Sequence, residues 1–287
     1  MREDVARLEE LVCLFKEVNL GGTAIGTGIN TKSEYARTVV EELSRLSQIP
    51  LVAASNLIEA CWDTGSFVLF SGMLKRTATK LSKISSDLRL LSSGPRGGFG
   101  EINLPALQPG SSIMQGKVSP VIPEVVSQVA FQVIGGDLTM TLAAEADQLQ
   151  LNIMEPVIAY TMLQSISLLT NAARAFHEKC IVGITANVQR CREHLEASTA
   201  LVTALTPLIG YERAPDVAKA TLKSDQKVWD ALESELHLAP GLLDQLRGPS
   251  TLNHTVESAG TRYFEKLMRV RMTCASPGPI RKRQQAT

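Results

Sequence analysis

Two serines, a lysine and a glutamate fall within one short stretch of this 287-residue chain. The segment GSSIMQGKVSP, residues 110–120, places Ser111 and Ser112 directly after a glycine, with Lys117 six residues beyond Ser111 and Glu124 shortly after. A serine removes a proton from carbon only when its alkoxide is stabilised. Backbone N–H groups in a glycine-flanked loop, a helix N-terminus and a lysine ammonium all supply that stabilisation. Pro123 marks a helix start, and Glu124 in its first turn can point back toward the same region. The plainer reading of Gly-Ser-Ser is a turn. What favours chemistry is the preceding stretch, SSGPRGGFGEINLPALQPG (92–110). Its five glycines and three prolines forbid regular structure and leave the serines on a segment expected to move. A Ser–Lys pair also suits a hydrolase, but the spacing is neither SxxK nor GxSxG.

The other reactive residue types form no comparable grouping. His177, His194, His237 and His254 are dispersed and make no metal-binding spacing, so His177 and His194 read as helix-surface residues. Glu145, Asp147 and Glu155 read as solvated or interhelical acids. No metal site is expected. Cys13, Cys61, Cys180, Cys191 and Cys274 include no CxxC, which fits a reducing cytoplasm rather than a disulfide framework. Cys180 and Cys191 are expected to be buried. The stretch GTAIGTGIN has Gly26-x-Gly28 but Thr31 in the third position, after what reads as a helix, so it is not a dinucleotide fingerprint.

The elements that must position these residues are helical. Val5, Leu8, Leu11, Val12 and Phe15 recur at helical steps, which predicts an amphipathic helix over 3–18. Residues 31–46 resume a helix capped by Thr31 or Ser33, and a long helix is expected from about Ser55 to Leu90, with Gly65 and Gly72 allowing close helix contact. Val125, Val126, Val129 and Val133 predict a helix from Pro123 to a break at Gly135-Gly136. Asp137 is then expected to cap another helix running through LTMTLAAEADQLQLNIM. Pro156 opens a last long helix to about Cys180. The uncharged run 156–173 has the length of a membrane span, but Thr161, Gln164, Ser165 and Asn171 within it favour a helix buried among helices. These long apolar helices predict a bundle that associates with further copies to cover its surface.

Lys+Arg and Asp+Glu balance at 29 each, so the basic excess that nucleic-acid binding requires is missing. Neither nucleic acid nor a membrane is an expected partner. The expected organisation is all-α: a bundle domain over 1–190, a small C-terminal helical domain over 191–250, and a polar, disordered tail over 251–287.

Several blocks, in order along the chain, resemble one family. They are GGTAIGTGINT, LIEACWDTG, LKRTATKLSKISSDLRLLSSGPR, GEINLPALQPGSS, PVIPEVVSQVAFQVIG and AAEADQLQLNIMEPVI, together with GSSIMQGKVSP itself. They are similar to the aspartate ammonia-lyases of the aspartase/fumarase superfamily. The resemblance implies a helical bundle of that type, assembled as a homotetramer with three subunits contributing to each active site. It implies elimination of ammonia from L-aspartate to give fumarate, without a cofactor. Ser111 corresponds to the base that takes the C3 proton, giving an aci-carboxylate intermediate. Ser112, Lys117 and Ser119 correspond to substrate-carboxylate contacts, and Glu124 to the partner of a histidine from another subunit's Thr-His motif.

The chain also departs from the family. Gln115 replaces a proline and Ser119 an asparagine; Ser86, Ser127 and Gly136 also stand where the family usually has asparagine. A hydroxyl is shorter than an amide and offers one donor instead of two. No Thr-His dipeptide occurs in residues 1–287. The chain therefore reads as carrying one third of such a site, a portion of a longer enzyme. Two alternatives remain, an inactive or structural subunit of the same family and a fumarate hydratase.

Overall fold

The computed structural model describes residues 1–94, 96–108, 118–198 and 210–224, together with 202 and 230. The chain divides into two compact units, Met1–Arg190 and Cys191–Thr287. The polar tail, His237, His254 and Cys274 lie outside the described residues.

In the first unit, α1 (Arg2–Val12) passes through a 3-10 turn (Cys13–Lys16) into β1 (Glu17–Val18), so the helix expected over 3–18 stops short. Strand β1 pairs in parallel with β2 (Val52–Ala53), and the glycine-rich stretch 21–28 therefore follows a short strand rather than a helix. Between them, α2 (Tyr35–Ser47) starts later than expected; Glu34 occupies the cap position, and neither Thr31 nor Ser33 does. The third helix, α3 (Gly65–Leu91), also starts later: residues 55–64 are turns and a short 3-10 segment at Glu59–Cys61. Asn56 explains this boundary, because its side-chain oxygen accepts the Ile58 and Glu59 N–H groups at 3.2 and 3.3 Å, a local alternative to helix.

The core is made by α3, α4 (Val121–Glu145) and α5 (Glu155–Lys179). Leu74, Ala78 and Leu81 of α3 meet Val126, Ala130 and Val133 of α4 and Leu169, Ala172 and Phe176 of α5. A second cluster joins Met140 and Ala143 of α4 to Ile158 and Met162 of α5, with Phe67 and Phe70 against it. The start of α3 thus meets the end of α4 and the start of α5, so α4 runs antiparallel to both. By length and composition α4 could cross a membrane, and among the described helices it alone meets that test. It packs instead as the middle member of this layer.

Helix α4 is continuous through Gly135-Gly136, where a break was expected, and it ends at Glu145, before QLQLN. Each mid-helix glycine costs about 1 kcal/mol relative to alanine. Contacts outweigh that cost: a Cβ at Gly136 would lie 2.9 Å from Thr161 Cγ2 and 3.4 Å from Ser165 Oγ. Gly136 is therefore where α4 and α5 approach. Gly72, expected to serve close contact, has nothing within 4 Å of such a Cβ. Asp137 caps no helix. It is buried, accepts the Ser71 hydroxyl at 2.8 Å, and pairs with the Lys75 ammonium at 2.5 Å.

A second buried acid anchors α1. Asp4, 1% exposed, receives Lys80 Nζ at 2.7 Å and faces Arg76 Nε at 3.3 Å. Burial alone raises its carboxyl, but the Lys80 hydrogen bonds and the Met1 amino group overcome that and hold it below the usual carboxylate value.

In the second unit, Ala214, Val217 and Thr221 are buried on one side of α7 (Ala214–Ser224). The intervening helix α6 (Val188–Ala197) contains the boundary between the units.

The glycine contrast is directly testable. Gly136→Val is expected to destabilise the chain by about 1–3 kcal/mol, from overpacking against Thr161. Gly72→Ala should be neutral or stabilising by up to about 1 kcal/mol. Urea unfolding of both variants checks this, and equal effects would remove Gly136 as the point of close approach.

Candidate functional site

Ser111, Ser112, Gln115 and Lys117 lie outside the described residues. Ser119 and Glu124 are described, and both sit at the N-terminal end of α4. The Ser119 carbonyl accepts the Val121 N–H at 2.9 Å, and the Pro120 carbonyl accepts the Glu124 N–H at 3.1 Å. Both residues are half-buried. Pro123 is fully buried within the first turn, where its missing N–H costs nothing. Anions are favoured at such an end, because the first turn leaves N–H groups without intrahelical partners.

The approach to this end, residues 96–108, contains regular structure, although no regular structure was expected over 92–110 from its glycines and prolines. Ile102–Asn103 form β3, which pairs antiparallel with β4 (Thr185–Ala186), with Ile102 opposite Ala186. The Asn103 side-chain amide donates to Thr185 Oγ1 at 3.3 Å. Glu101 donates its N–H to the Leu91 carbonyl at 2.9 Å and accepts the Asn187 N–H at 2.8 Å. The Arg190 guanidinium reaches the Phe99 carbonyl at 3.2 Å and the Gly98 carbonyl at 3.4 Å. Gly183 lets the Pro105 ring pack onto the chain, because a Cβ there would meet Pro105 Cγ at 2.5 Å. Leu104 packs against the main core. Two signals could have indicated this order: the alternation in Glu101-Ile102-Asn103-Leu104, and the matching short run Ile184-Thr185-Ala186.

Next to α4's first turn, Leu104, Pro105 and Leu107 form a narrow crevice with Pro120–Pro123, Lys179 and Cys180. Cys180 is 1% exposed, and burial pushes its thiol up. Cys191, expected to be buried, is half-buried, and Cys13 is exposed. His177 is exposed and His194 half-buried. Among the described residues, no three His, Cys, Asp or Glu side chains are placed to hold a metal ion.

Two polar features escaped the sequence reading. The Ser71–Asp137–Lys75 cluster was hidden because Gly-Gly-Asp reads as a break with a cap; an acid inside the otherwise apolar run from Val125 to Ala144 was the available signal. The Ser85 and Ser127 hydroxyls are buried with no hydrogen-bond partner among the described residues. Each such group costs about 1–3 kcal/mol. No pattern in the sequence marks these two serines as unpaired.

Thiol burial sets an order of reactivity. Among the four cysteines of the described residues, alkylation of the native chain near neutral pH is expected to modify Cys13 first and Cys180 last, the latter only as the chain unfolds. Peptide mapping by mass spectrometry reads the order; early modification of Cys180 would contradict its burial between α5 and the 104–107 segment.

Comparison with known proteins agrees with this architecture. The family described as "Lyase" matches residues 1–135. An aspartate ammonia-lyase of Pseudomonas fluorescens is 59% identical over 251 residues, covering 87% of this chain and 52% of that protein. The crystal structure described as fumarate lyase:delta crystallin from Brucella melitensis, bound to cobalt, superposes with a TM-score of 0.81 at 57% identity, covering 88% of this chain and 54% of that one. A class II fumarase from Schistosoma mansoni superposes at 0.82 with 30% identity, covering 89% and 56%. The chain thus spans about half the length of the relatives it matches. By sequence and by fold the chain is homologous to the aspartate ammonia-lyases over the half of their length that it spans.

Proposed function

We propose that this chain contributes to the reversible elimination of ammonia from L-aspartate to give fumarate. The observation that carries the reading is the contrast in identity: 59% with an aspartate ammonia-lyase against 30% with a fumarase of equally similar fold. In this chemistry Ser111 takes the C3 proton. The electron pair moves onto the adjacent carboxylate, giving an aci-carboxylate dianion, and the C2–N bond then breaks to release ammonia. Ser112, Lys117 and Ser119 hold the substrate carboxylates. Glu124 raises the basicity of a histidine from another subunit. Donors fixed in advance stabilise the dianion better than mobile water, because they need not reorganise as charge develops. Support comes from Ser119 and Glu124 lying together at the N-terminal end of α4, where the helix favours negative charge. The reaction requires no cofactor.

In the same reading, the bundle of residues 1–190 assembles as a homotetramer in the cytoplasm, and 191–250 form the small helical domain. Apolar side chains left open on the bundle favour association. Phe131, Leu138 and Leu142 of α4 are 63, 60 and 58% exposed, and Tyr160 and Leu163 of α5 are 64 and 67% exposed. Contiguous apolar surface of this kind marks interfaces in soluble proteins.

A second reading, a structural subunit without activity, is favoured by Ser119. Loss of an amide contact to a charged carboxylate costs about 1.5–3 kcal/mol, or roughly one to two decades in rate.

The test supplies the chain with the portion of the Pseudomonas fluorescens relative that the match leaves uncovered. Fumarate is then followed by ultraviolet absorbance, from L-aspartate and L-malate in parallel. Fumarate is expected from aspartate. Ser111→Ala should reduce the rate by roughly 10²–10⁴-fold without lowering the melting temperature. Ser119→Asn should raise kcat/KM by about one to two decades. Fumarate from malate alone would establish the hydratase instead, and none from either substrate the structural subunit.

A further inference from the structure

Ser119 and Glu124 flank a stretch of chain that a distant segment holds in place. Leu104, Pro105 and Leu107 lie against Pro120–Pro123, the residues between Ser119 and Glu124. Ser111 follows Leu107 by four residues. The course of residues 98–107 therefore bears on the residues assigned to the reaction. That course is poorly fixed by its own sequence. Residues 97 and 98 are both glycine, the residue with most conformational freedom to lose on ordering, and β3 begins only at Ile102.

Two elements hold residues 98–101 from opposite sides. One is the end of α3. The Phe99 N–H donates to Ser93 Oγ at 3.1 Å, and the Glu101 N–H donates to the Leu91 carbonyl at 2.9 Å. Gly98 stands so close that a Cβ there would lie 2.5 Å from the Ser93 carbonyl carbon. The other element is the start of α6. The Asn187 N–H donates to the Glu101 carbonyl at 2.8 Å, and Asn187 Oδ1 accepts the Arg190 N–H at 3.2 Å. From that first turn Arg190 donates through Nε to the Phe99 carbonyl at 3.2 Å and through Nη2 to the Gly98 carbonyl at 3.4 Å.

An arginine suits this position. Its planar guanidinium presents several donors in fixed directions and so reaches two successive carbonyls at once, which a lysine ammonium does not. Hydrogen bonds from a charged donor are stronger than neutral ones, and Arg190 is half-buried, partly shielded from competing water.

We propose that Arg190 is a positioning residue for the elimination, an inference that rests on the lyase reading. It acts through the backbone it holds. By fixing the Gly98 and Phe99 carbonyls it sets the course of residues 98–107. Their packing on Pro120–Pro123 carries that placement to Ser119 and Glu124, and the same segment fixes the point from which the chain runs on to Ser111. Reacting groups tolerate little displacement: a shift of about 1 Å can cost roughly 10²-fold in rate. A role in stability alone would lower the melting temperature without that loss.

The test uses the same assembly as the lyase assay, this chain with the uncovered portion of the Pseudomonas fluorescens relative. It compares Arg190→Ala, Arg190→Lys and Arg192→Ala, the last removing an exposed arginine from the same helix. The readouts are kcat and KM for L-aspartate per folded protein, the pH profile of kcat, and backbone hydrogen exchange over residues 98–103. Arg190→Ala is expected to lower kcat about ten- to hundredfold, to change KM by less than about threefold, to leave the pH profile in place and to speed exchange. Arg190→Lys, which keeps the charge and one donor, should fall between, and it keeps the test open if Arg190→Ala fails to fold. Arg192→Ala should match the unsubstituted chain. Faster exchange and lower melting at an unchanged kcat, an equal loss from Arg192→Ala, or Arg190→Lys as slow as Arg190→Ala would each overturn the proposal. No turnover of aspartate by the unsubstituted assembly would instead refute the lyase reading, and this inference with it.

Discussion

Helix α4 has to lie against two helices at once, and two adjacent residues make that possible by opposite means. Gly136 removes a side chain, so that Thr161 and Ser165 of α5 can approach the α4 backbone. Asp137, one position on and turned toward α3, adds a buried charge that Ser71 and Lys75 satisfy. A buried carboxylate is costly unless paired and hydrogen-bonded. The pairing therefore disfavours any slip of α3 along α4, while the apolar clusters on either side contribute the bulk of the burial. This seam sets which helix ends come together, and so what chemistry each end of the bundle can offer.

At one end, α4 begins where α3 and α5 finish. One helix N-terminus lies among two C-termini, and β3–β4, Arg190 and the Pro105–Gly183 contact hold the incoming chain beside it. At the other end the order is reversed: α3 and α5 begin where α4 finishes, with Asp63 just ahead of the α3 cap residue Thr64 and Glu155 in the first turn of α5. Acids are favoured at helix N-termini, so that end accumulates carboxylates for reasons of helix stability before any ligand is considered. The two ends thus differ in electrostatics because neighbouring helices alternate in direction.

The bundle surface reflects a different constraint. Phe131, Leu138, Tyr160 and Leu163 remain largely exposed, although α4 and α5 bury their opposite faces well. Ser127 and Ser85 have no hydrogen-bond partner inside, among the described residues. Each keeps a polar group in the core at a cost of about 1–3 kcal/mol.

The sequence by itself determined the helical class, the long core helices α3 and α5 and the start of α5 at Glu155-Pro156, because local periodicity and residue type carry that information. It misplaced the boundaries of α1, α2 and α3, read Gly135-Gly136 as a break, and read residues 92–110 as lacking regular structure. Those features depend on partners distant along the chain. Thr161 decides that Gly136 is a contact rather than an interruption, Ser71 and Lys75 decide that Asp137 is a tie rather than a cap, and Thr185, Asn187 and Arg190 order a segment whose own composition favours disorder. A glycine or an aspartate has the same local propensity in either role, and only the tertiary neighbour chooses between them.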